Sequence, residues 1–282
     1  MITHKKLDNN YEYIEIKNNQ AEAKIALQGA HIFHYKAKNR PALLWLSETS
    51  FFKEGKAIRG GIPICFPWFG PHKTDASLPQ HGFARTALWE VVLEEELDEN
   101  SSHIQLQLTS TEESLKLWEY TFDVRLDIVV TSELIVTLTV TNTGTKAFEI
   151  TSALHSYFNV SDITNVSVEG LDGSDFIDSL TDKTYNQKGS LTISEEVDRV
   201  YFDASNRIVL HDEPNEIILK QKGSNSLVAW NPWIEKAKKM PDMPDNGYKT
   251  MLCLETGNVG EDKKTLEVNE FHILEVTISN KL

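Results

Sequence analysis

The side chains best placed to do chemistry in this chain begin between Arg59 and Arg85. There Arg-Gly-Gly-Ile-Pro-Ile-Cys-Phe-Pro-Trp-Phe-Gly-Pro is followed by a short polar link and then Gln-His-Gly-Phe-Ala-Arg. Within this stretch Arg59, Lys73 and Arg85 face only Asp75, although the whole chain carries a formal charge of −14. Guanidinium forks pair with the oxygens of phosphates and carboxylates, so the segment predicts a locally positive pocket for an anionic ligand, lined by glycine backbone and floored by aromatic rings. Ile62, Ile64, Phe66, Trp68, Phe69 and Phe83 are threaded between the Gly and Pro residues, which argues for an ordered loop rather than a disordered one. A connection this long is expected to build a site, because long loops without regular structure are otherwise uncommon.

Proton-transfer groups lie elsewhere. His155 sits in Ala153-Leu154-His155-Ser156-Tyr157-Phe158, a strand pattern that puts Ala153, His155 and Tyr157 on one face. It is either a hydrogen-bonded core residue or a proton-transfer group in a cleft. Glu255 follows Met251-Leu252-Cys253-Leu254 and shares a face with Met251 and Cys253. Against an apolar wall its pKa would rise into the range of a general base; alternatively it is a strand-end carboxylate turning to solvent through Thr256-Gly257. Asp198 either accepts hydrogen bonds from sugar hydroxyls or pairs with a nearby base. Trp68, Trp230 and Trp233 are sugar-stacking platforms or core residues.

Several common chemistries lack their spacings. There is no phosphate-binding P-loop, no dinucleotide Gly-x-Gly-x-x-Gly after a strand and no Gly-x-Ser-x-Gly nucleophile elbow. His31 and His34 point to opposite faces of a strand and cannot chelate together, so no metal and no cofactor is expected. Cys65 and Cys253 read as reduced, buried thiols.

The elements that must position these groups are strands. Period-two alternation runs through Tyr11 to Ile16, Ile104-Leu106-Leu108, Val124-Leu126-Ile128-Val130, Leu134-Val136-Leu138-Val140 and Leu274-Val276-Ile278. Only Thr111 to Trp118 and Ile234 to Met240 read as short helices, so alternating β-α units are not expected. Turn signals separate the strands without an internal repeat, which predicts an all-β fold, one large antiparallel β-sandwich spanning residues 1–282 as a single domain. The acidic run Glu94-Glu95-Glu96 with Asp98-Glu99 is expected to be a solvated turn after an apolar strand, Leu88 to Leu93. A sequence pI near 5.1 disfavours nucleic acid and anionic membrane as partners, leaving a small anionic molecule. Met1 to Asn10 has no apolar core of the signal-peptide kind, so the cytoplasm is the expected compartment; nothing speaks to oligomeric state.

Six blocks, taken together and in order, carry a family resemblance. They are Arg59 to Gly70, Gln80 to Arg85, Ala153 to Phe158, Asp198-Arg199-Val200-Tyr201, Trp230-Asn231-Pro232-Trp233 with Glu235-Lys236-Ala237, and Cys253 to Val259. Together they resemble the glucose-6-phosphate 1-epimerases (D-hexose-6-phosphate mutarotases) of the aldose 1-epimerase superfamily. The resemblance implies a supersandwich like that of galactose mutarotase and the interconversion of α and β anomers of hexose 6-phosphates, without cofactor. It implies His155 as general acid and Glu255 as general base. It further implies Arg59, Gln80, Arg85 and Asp198 as substrate-binding residues, the two arginines holding phosphate, with His81 beside them touching the sugar. Trp118-Glu119 departs from the proline that relatives often carry after the tryptophan, and Met243 to Gly247 vary a loop; neither is expected to touch the site. The alternatives are an epimerase of neutral aldoses, in which the arginines are structural, and a carbohydrate-binding sandwich without turnover; a glycoside hydrolase would need a second carboxylate beside Glu255.

Overall fold

The computed structural model describes residues 1–281. Its alternating segments become a nine-stranded antiparallel sheet in which Ser101–Thr109, Phe122–Val130, Leu134–Asn142 and Phe271–Lys281 are neighbours. Leu106, Leu126, Leu138 and Leu274 are successive cross-strand partners, and Ile104, Ile128, Val136 and Val276 form another such row. All eight are buried. Side chains on a strand alternate faces, so this register sends the whole apolar set to one side, and each residue so buried stabilises the fold by roughly 1.5–3 kcal/mol.

A second, eight-stranded sheet runs in the order Lys183–Asn186, Asp175–Asp178, Val197–Phe202, Ser226–Asn231, Met251–Asn258, Ser152–Leu154 and Ile64–Cys65, with Tyr157–Asn159 also pairing with Met251–Asn258. A four-stranded sheet at the N-terminus is formed by Ile2–Lys6, Glu12–Lys17, Ala21–Ala26 and His31–Ala37. Apolar side chains from all three meet in one cluster, among them Ile25 and Tyr35, Leu126 and Val136, and Leu227 and Leu254. The all-β sandwich predicted from the alternation is therefore the observed architecture. The two expected α-helices are present as Glu112–Leu117 and Trp233–Ala237. The first begins where Thr111 accepts from the Ser114 amide while Ser114 accepts from the Thr111 amide, a reciprocal cap that satisfies two otherwise unpaired donors.

One local expectation is corrected and one open alternative is decided. The acidic run is a strand, Glu90–Asp98, at the edge of the nine-stranded sheet, with Glu94 opposite Ile104 and Glu96 opposite Ser102. An edge strand exposes unpaired backbone, and a row of carboxylates there discourages pairing with a second chain. The strand bearing Glu255 continues to Asn258 instead of turning out at Thr256, because Thr256, Gly257 and Asn258 pair with Leu154, Ala153 and Ser152.

Candidate active site

Strand register assembles the carboxylates. Asp198 pairs with Trp230, and Trp230 with Cys253; in the next row Val200, Val228 and Glu255 are partners. Cross-strand partners share a face. On this face Val200 and Val228 pack with Cys65, Ala153 and Val259 in a small cluster separate from the main core. The eight-stranded sheet thus buries one face in the sandwich and builds a site on the other. Glu255 is only 1% exposed.

His155 lies where the chain steps from Ser152–Leu154 to Tyr157–Asn159, both of which pair with the strand carrying Glu255. Its backbone amide donates to the Pro63 carbonyl at 3.0 Å, and that of Tyr157 to Gly61 at 2.9 Å. The imidazole stacks on the Tyr157 ring, with centroids 4.8 Å apart and planes 7° from parallel, and Tyr157 stacks in turn on Trp45. This sandwich of rings sets the imidazole plane. His155 Nε2 lies 3.3 Å from Glu255 Oε1. His155 Nδ1 and Glu255 Oε2 are buried without a hydrogen-bond partner, atoms that a ligand could satisfy.

The segment from Arg59 to Arg85 docks against this pair. Gly82 has φ +71°, and a Cβ there would lie 2.0 Å from the Phe66 carbonyl oxygen, so only glycine allows the loop to close on itself. Closure is completed at the tip: the His81 amide donates to Gly70 O at 2.7 Å, and the Gly70 amide donates to His81 Nδ1 at 3.1 Å. That second bond leaves the proton of a neutral His81 on Nε2. Burial, Arg85 and Arg59 push the pKa of His81 down to about 3, so this side chain is a neutral donor. The expected aromatic floor is displaced. Phe66, Trp68 and Phe83 join the main core, while Phe69, Tyr157 and Trp230 line the cavity.

The two arginines differ. Arg59 donates through Nε to Asp242 Oδ2 at 3.2 Å and through one terminal nitrogen to Tyr157 Oη at 2.9 Å, while its other terminal nitrogen is 3.1 Å from Asp242 Oδ2. One N–H on each terminal nitrogen remains free, which leaves the end of the fork open. Arg85 donates to the Gln80 carbonyl at 2.6 Å and, among the described residues, has no carboxylate partner. It is the less compensated cation of the two.

These groups surround a cavity of about 390 Å³, lined by Arg59, Gln80, His81, Arg85, His155, Asp198 and Glu255. All seven residues singled out from the sequence therefore meet at one place. Burial, then the charge of Asp198, pushes the Glu255 carboxyl well above the usual carboxylate range, opposed by Arg85. Burial, with His81, Arg85 and Arg59, pushes His155 well below the usual imidazole range. Asp198 is also raised by burial, against the pull of Lys236, whose Nζ is 3.7 Å away. A neutral imidazole beside a carboxylic acid holds the same single proton as an imidazolium beside a carboxylate. Interchanging them moves one proton over a short distance, as general acid–base chemistry requires.

Sequence reading missed Tyr157, Lys236 and Asp242. Lys236 lay in a block already singled out, but nothing showed that the helix Trp233–Ala237 turns it toward Asp198 and over the Trp230 ring. Asp242 gave no signal at all, since its partner Arg59 is distant in the chain. Met243 to Gly247 lie outside the cavity lining, as expected, although Met240 and Asp242 just before them reach the cavity or its arginine. Trp68 and Trp233 are not platforms: the first is buried and the second packs on Tyr248.

The architecture recurs in a galactose mutarotase related enzyme from Lactobacillus acidophilus, with a TM-score of 0.74 at 16% identity, covering 96% of this chain and 97% of that one. The fold is thus a galactose mutarotase-like β-sandwich, with the cavity that holds His155 and Glu255 on the outer face of its eight-stranded sheet. A crystal structure described as a "putative mutarotase (YeaD)" from Salmonella typhimurium superposes with a TM-score of 0.92 at 36% identity, over 99% of this chain and 93% of that one. A protein of Escherichia coli (strain K12) named "Putative glucose-6-phosphate 1-epimerase" is 38% identical over 277 residues, 97% of this chain and 92% of its own length. One of the same name from Cenchrus ciliaris is 40% identical over 260 residues, 88% and 78% respectively. The profile of the Aldose 1-epimerase family matches residues 12–279, and the chain belongs to that family.

Proposed function

We propose that this protein interconverts the α and β anomers of D-hexose 6-phosphates, with His155 and Glu255 moving the protons and Arg59, Gln80, His81, Arg85 and Asp198 holding the substrate. The observation that carries the reading is a buried imidazole and carboxyl 3.3 Å apart, each with an unpartnered polar atom, in a cavity that also holds an arginine with no carboxylate partner among the described residues. Glu255 accepts the proton of the anomeric hydroxyl O1 while His155 donates one to the ring oxygen O5. The C1–O5 bond breaks, the C1–O1 bond becomes a carbonyl, and the aldehyde rotates about C1–C2. The reverse transfers close the ring on the other face of the carbonyl. Each group contributes about 10²–10⁴-fold, enough for a reaction that already proceeds in water.

Burial makes the pair asymmetric in a useful sense. Ring opening starts from imidazolium and carboxylate and ends at imidazole and carboxylic acid, the form that the low-dielectric floor favours. The surroundings therefore stabilise the pair as it stands when the sugar is an open-chain aldehyde.

At the other end Arg85, with four N–H donors remaining after its bond to Gln80, and the open end of the Arg59 fork bind the phosphate oxygens. The relatives named as glucose-6-phosphate 1-epimerases support this substrate class. Two-dimensional NMR exchange between the α and β anomeric signals of glucose 6-phosphate tests the reading. The native protein is expected to accelerate exchange, and His155→Asn and Glu255→Gln each to reduce it by about 10²–10⁴-fold. Near-native exchange in both folded variants would refute the assignment, and no acceleration by the native protein would leave only a sugar-binding sandwich.

A further inference from the structure

Cys253 is a fully buried thiol with no part in this mechanism, yet it stands directly beside the reacting pair. It precedes Glu255 by two residues on one strand and so shares its face, and its cross-strand partners are Tyr157 and Trp230. One ligand atom each from His155, Cys253 and Glu255 lie within 4.8 Å of one another. Tetrahedral zinc, with bonds of about 2.0–2.3 Å, sets its ligand atoms roughly 3.3–3.8 Å apart. The His155–Glu255 edge, at 3.3 Å, is already of that length, and the sulfur, within 4.8 Å of both, is at most a short shift away from it.

We propose that His155, Cys253 and Glu255 form a three-ligand site for a thiophilic divalent cation, zinc or cadmium, whose binding inhibits the enzyme by occupying the acid–base pair. The binding stands on the geometry alone; the inhibition rests on the function proposed above. The donor set suits the metal: imidazole nitrogen, thiolate sulfur and carboxylate oxygen are the zinc ligands of proteins, and the cavity lined by His155 and Glu255 leaves room for water in the fourth position. Magnesium and calcium, which take oxygen ligands at six or more positions, do not match it. Charge also balances. A thiolate and a carboxylate neutralise a dication, so the loaded site is as neutral as the metal-free one, and the thiol and carboxyl protons pass to solvent. The Glu255 Oε2 left without a partner is available to take the cation bidentately or to hold its water.

Cadmium titration of the native protein is expected to raise a saturable ultraviolet thiolate-to-cadmium charge-transfer band. The band should be lost in Cys253→Ser and kept in Cys65→Ser, whose thiol packs with Val200 and Val228 and is not part of the trio. Zinc should slow anomer exchange and a chelator restore it, with magnesium inert. In Cys253→Ser the half-inhibiting zinc concentration should rise by more than about 100-fold, since even outer-shell partners of a metal ligand are worth about 10–100-fold. X-ray absorption of the zinc-loaded native protein needs no variant and should show one sulfur at about 2.3 Å with nitrogen and oxygen at about 2.0–2.2 Å. No band in the native protein, an undiminished band in Cys253→Ser, or a zinc shell without sulfur would overturn the site. A band in a protein that exchanges no anomers would instead sink the proposed function and leave the site standing.

Discussion

Replacing Arg85 with alanine separates a phosphosugar enzyme from one acting on neutral aldoses. Arg85 sits on a one-turn 3₁₀ segment, Ala84–Thr86, and spends one donor on the Gln80 carbonyl. Its charge nonetheless reaches across the site, lowering the pKa of His81 and His155 and opposing the upward push on Glu255. A hydrogen bond to a charged group is worth roughly 1.5–3 kcal/mol. A two-pronged contact with a phosphate at this partly open position is counted as about 3 kcal/mol, and at 1.36 kcal/mol per decade that is about 10²-fold. Arg85→Ala should raise KM for glucose 6-phosphate by about 100-fold, as measured by saturation of the NMR exchange rate or by a coupled anomer-specific assay. Loss of the cation also lets both His155 and Glu255 rise, an effect common to the two sugars, so the informative quantity is the difference between glucose 6-phosphate and glucose. An equal proportional loss on both would refute a phosphate role for Arg85. Arg85→Lys keeps the charge without the fork and should fall between native and alanine.

Arg59→Ala should behave differently, because Asp242 and Tyr157 both lean on that guanidinium. Its removal leaves Asp242 part-buried without a cation, at a cost of about 1–3 kcal/mol in urea denaturation, and slows exchange on both sugars through Tyr157, on which His155 stacks; unchanged stability would mean that Asp242 finds water instead. Acid sensitivity should arise at His31, which is fully buried and donates through Nε2 to the Gly60 carbonyl at 2.8 Å, with Nδ1 unpartnered. A charged ring would need a second acceptor that is missing, and burial lowers the pKa to about 4. The unfolded chain takes the proton near pH 6.5 and the folded one resists until about 4, so stability is lost as pH falls through that window, by about 3 kcal/mol at most. A His31→Gln variant should show a shallower loss of denaturation midpoint between pH 7 and 4; identical slopes would exclude His31 as the cause.

Much of the fold was legible because the nine-stranded sheet has one dry and one wet face. Along Val124-Leu126-Ile128-Val130 and Leu134-Val136-Leu138-Val140 that asymmetry is written as alternation, which a reader of sequence can see. Glu90–Asp98 was misread because an edge strand has no such contrast: most of its residues are exposed, and its charges look like those of a turn. The end of the strand beyond Glu255 stayed open between two readings for the opposite reason. Met251–Asn258 is buried throughout, so no alternation marks where it stops. The cavity residues were found as types and blocks, whereas the contacts of Asp242 with Arg59 and of Lys236 with Asp198 were not, since short-range spacing carries no trace of a contact made across the chain.

The amino-acid sequence by itself determined which chemistries were open. It supplied an imidazole, a carboxylate and two arginines in a locally cationic segment, excluded nucleotide-loop and nucleophile-elbow motifs, and patterned the strands that must carry them. Whether His155 was core or cleft, and whether Glu255 turned to solvent, was decided only by tertiary structure. Both are buried and yet line a cavity, a combination set by the register of three strands, in which Asp198, Trp230 and Cys253 form one row and Val200, Val228 and Glu255 the next. The physical reason is that burial and the field of distant charges, not residue type, place a proton on one group or the other. Those fields come from Arg59, Arg85 and Asp198, which only the folded chain brings within reach.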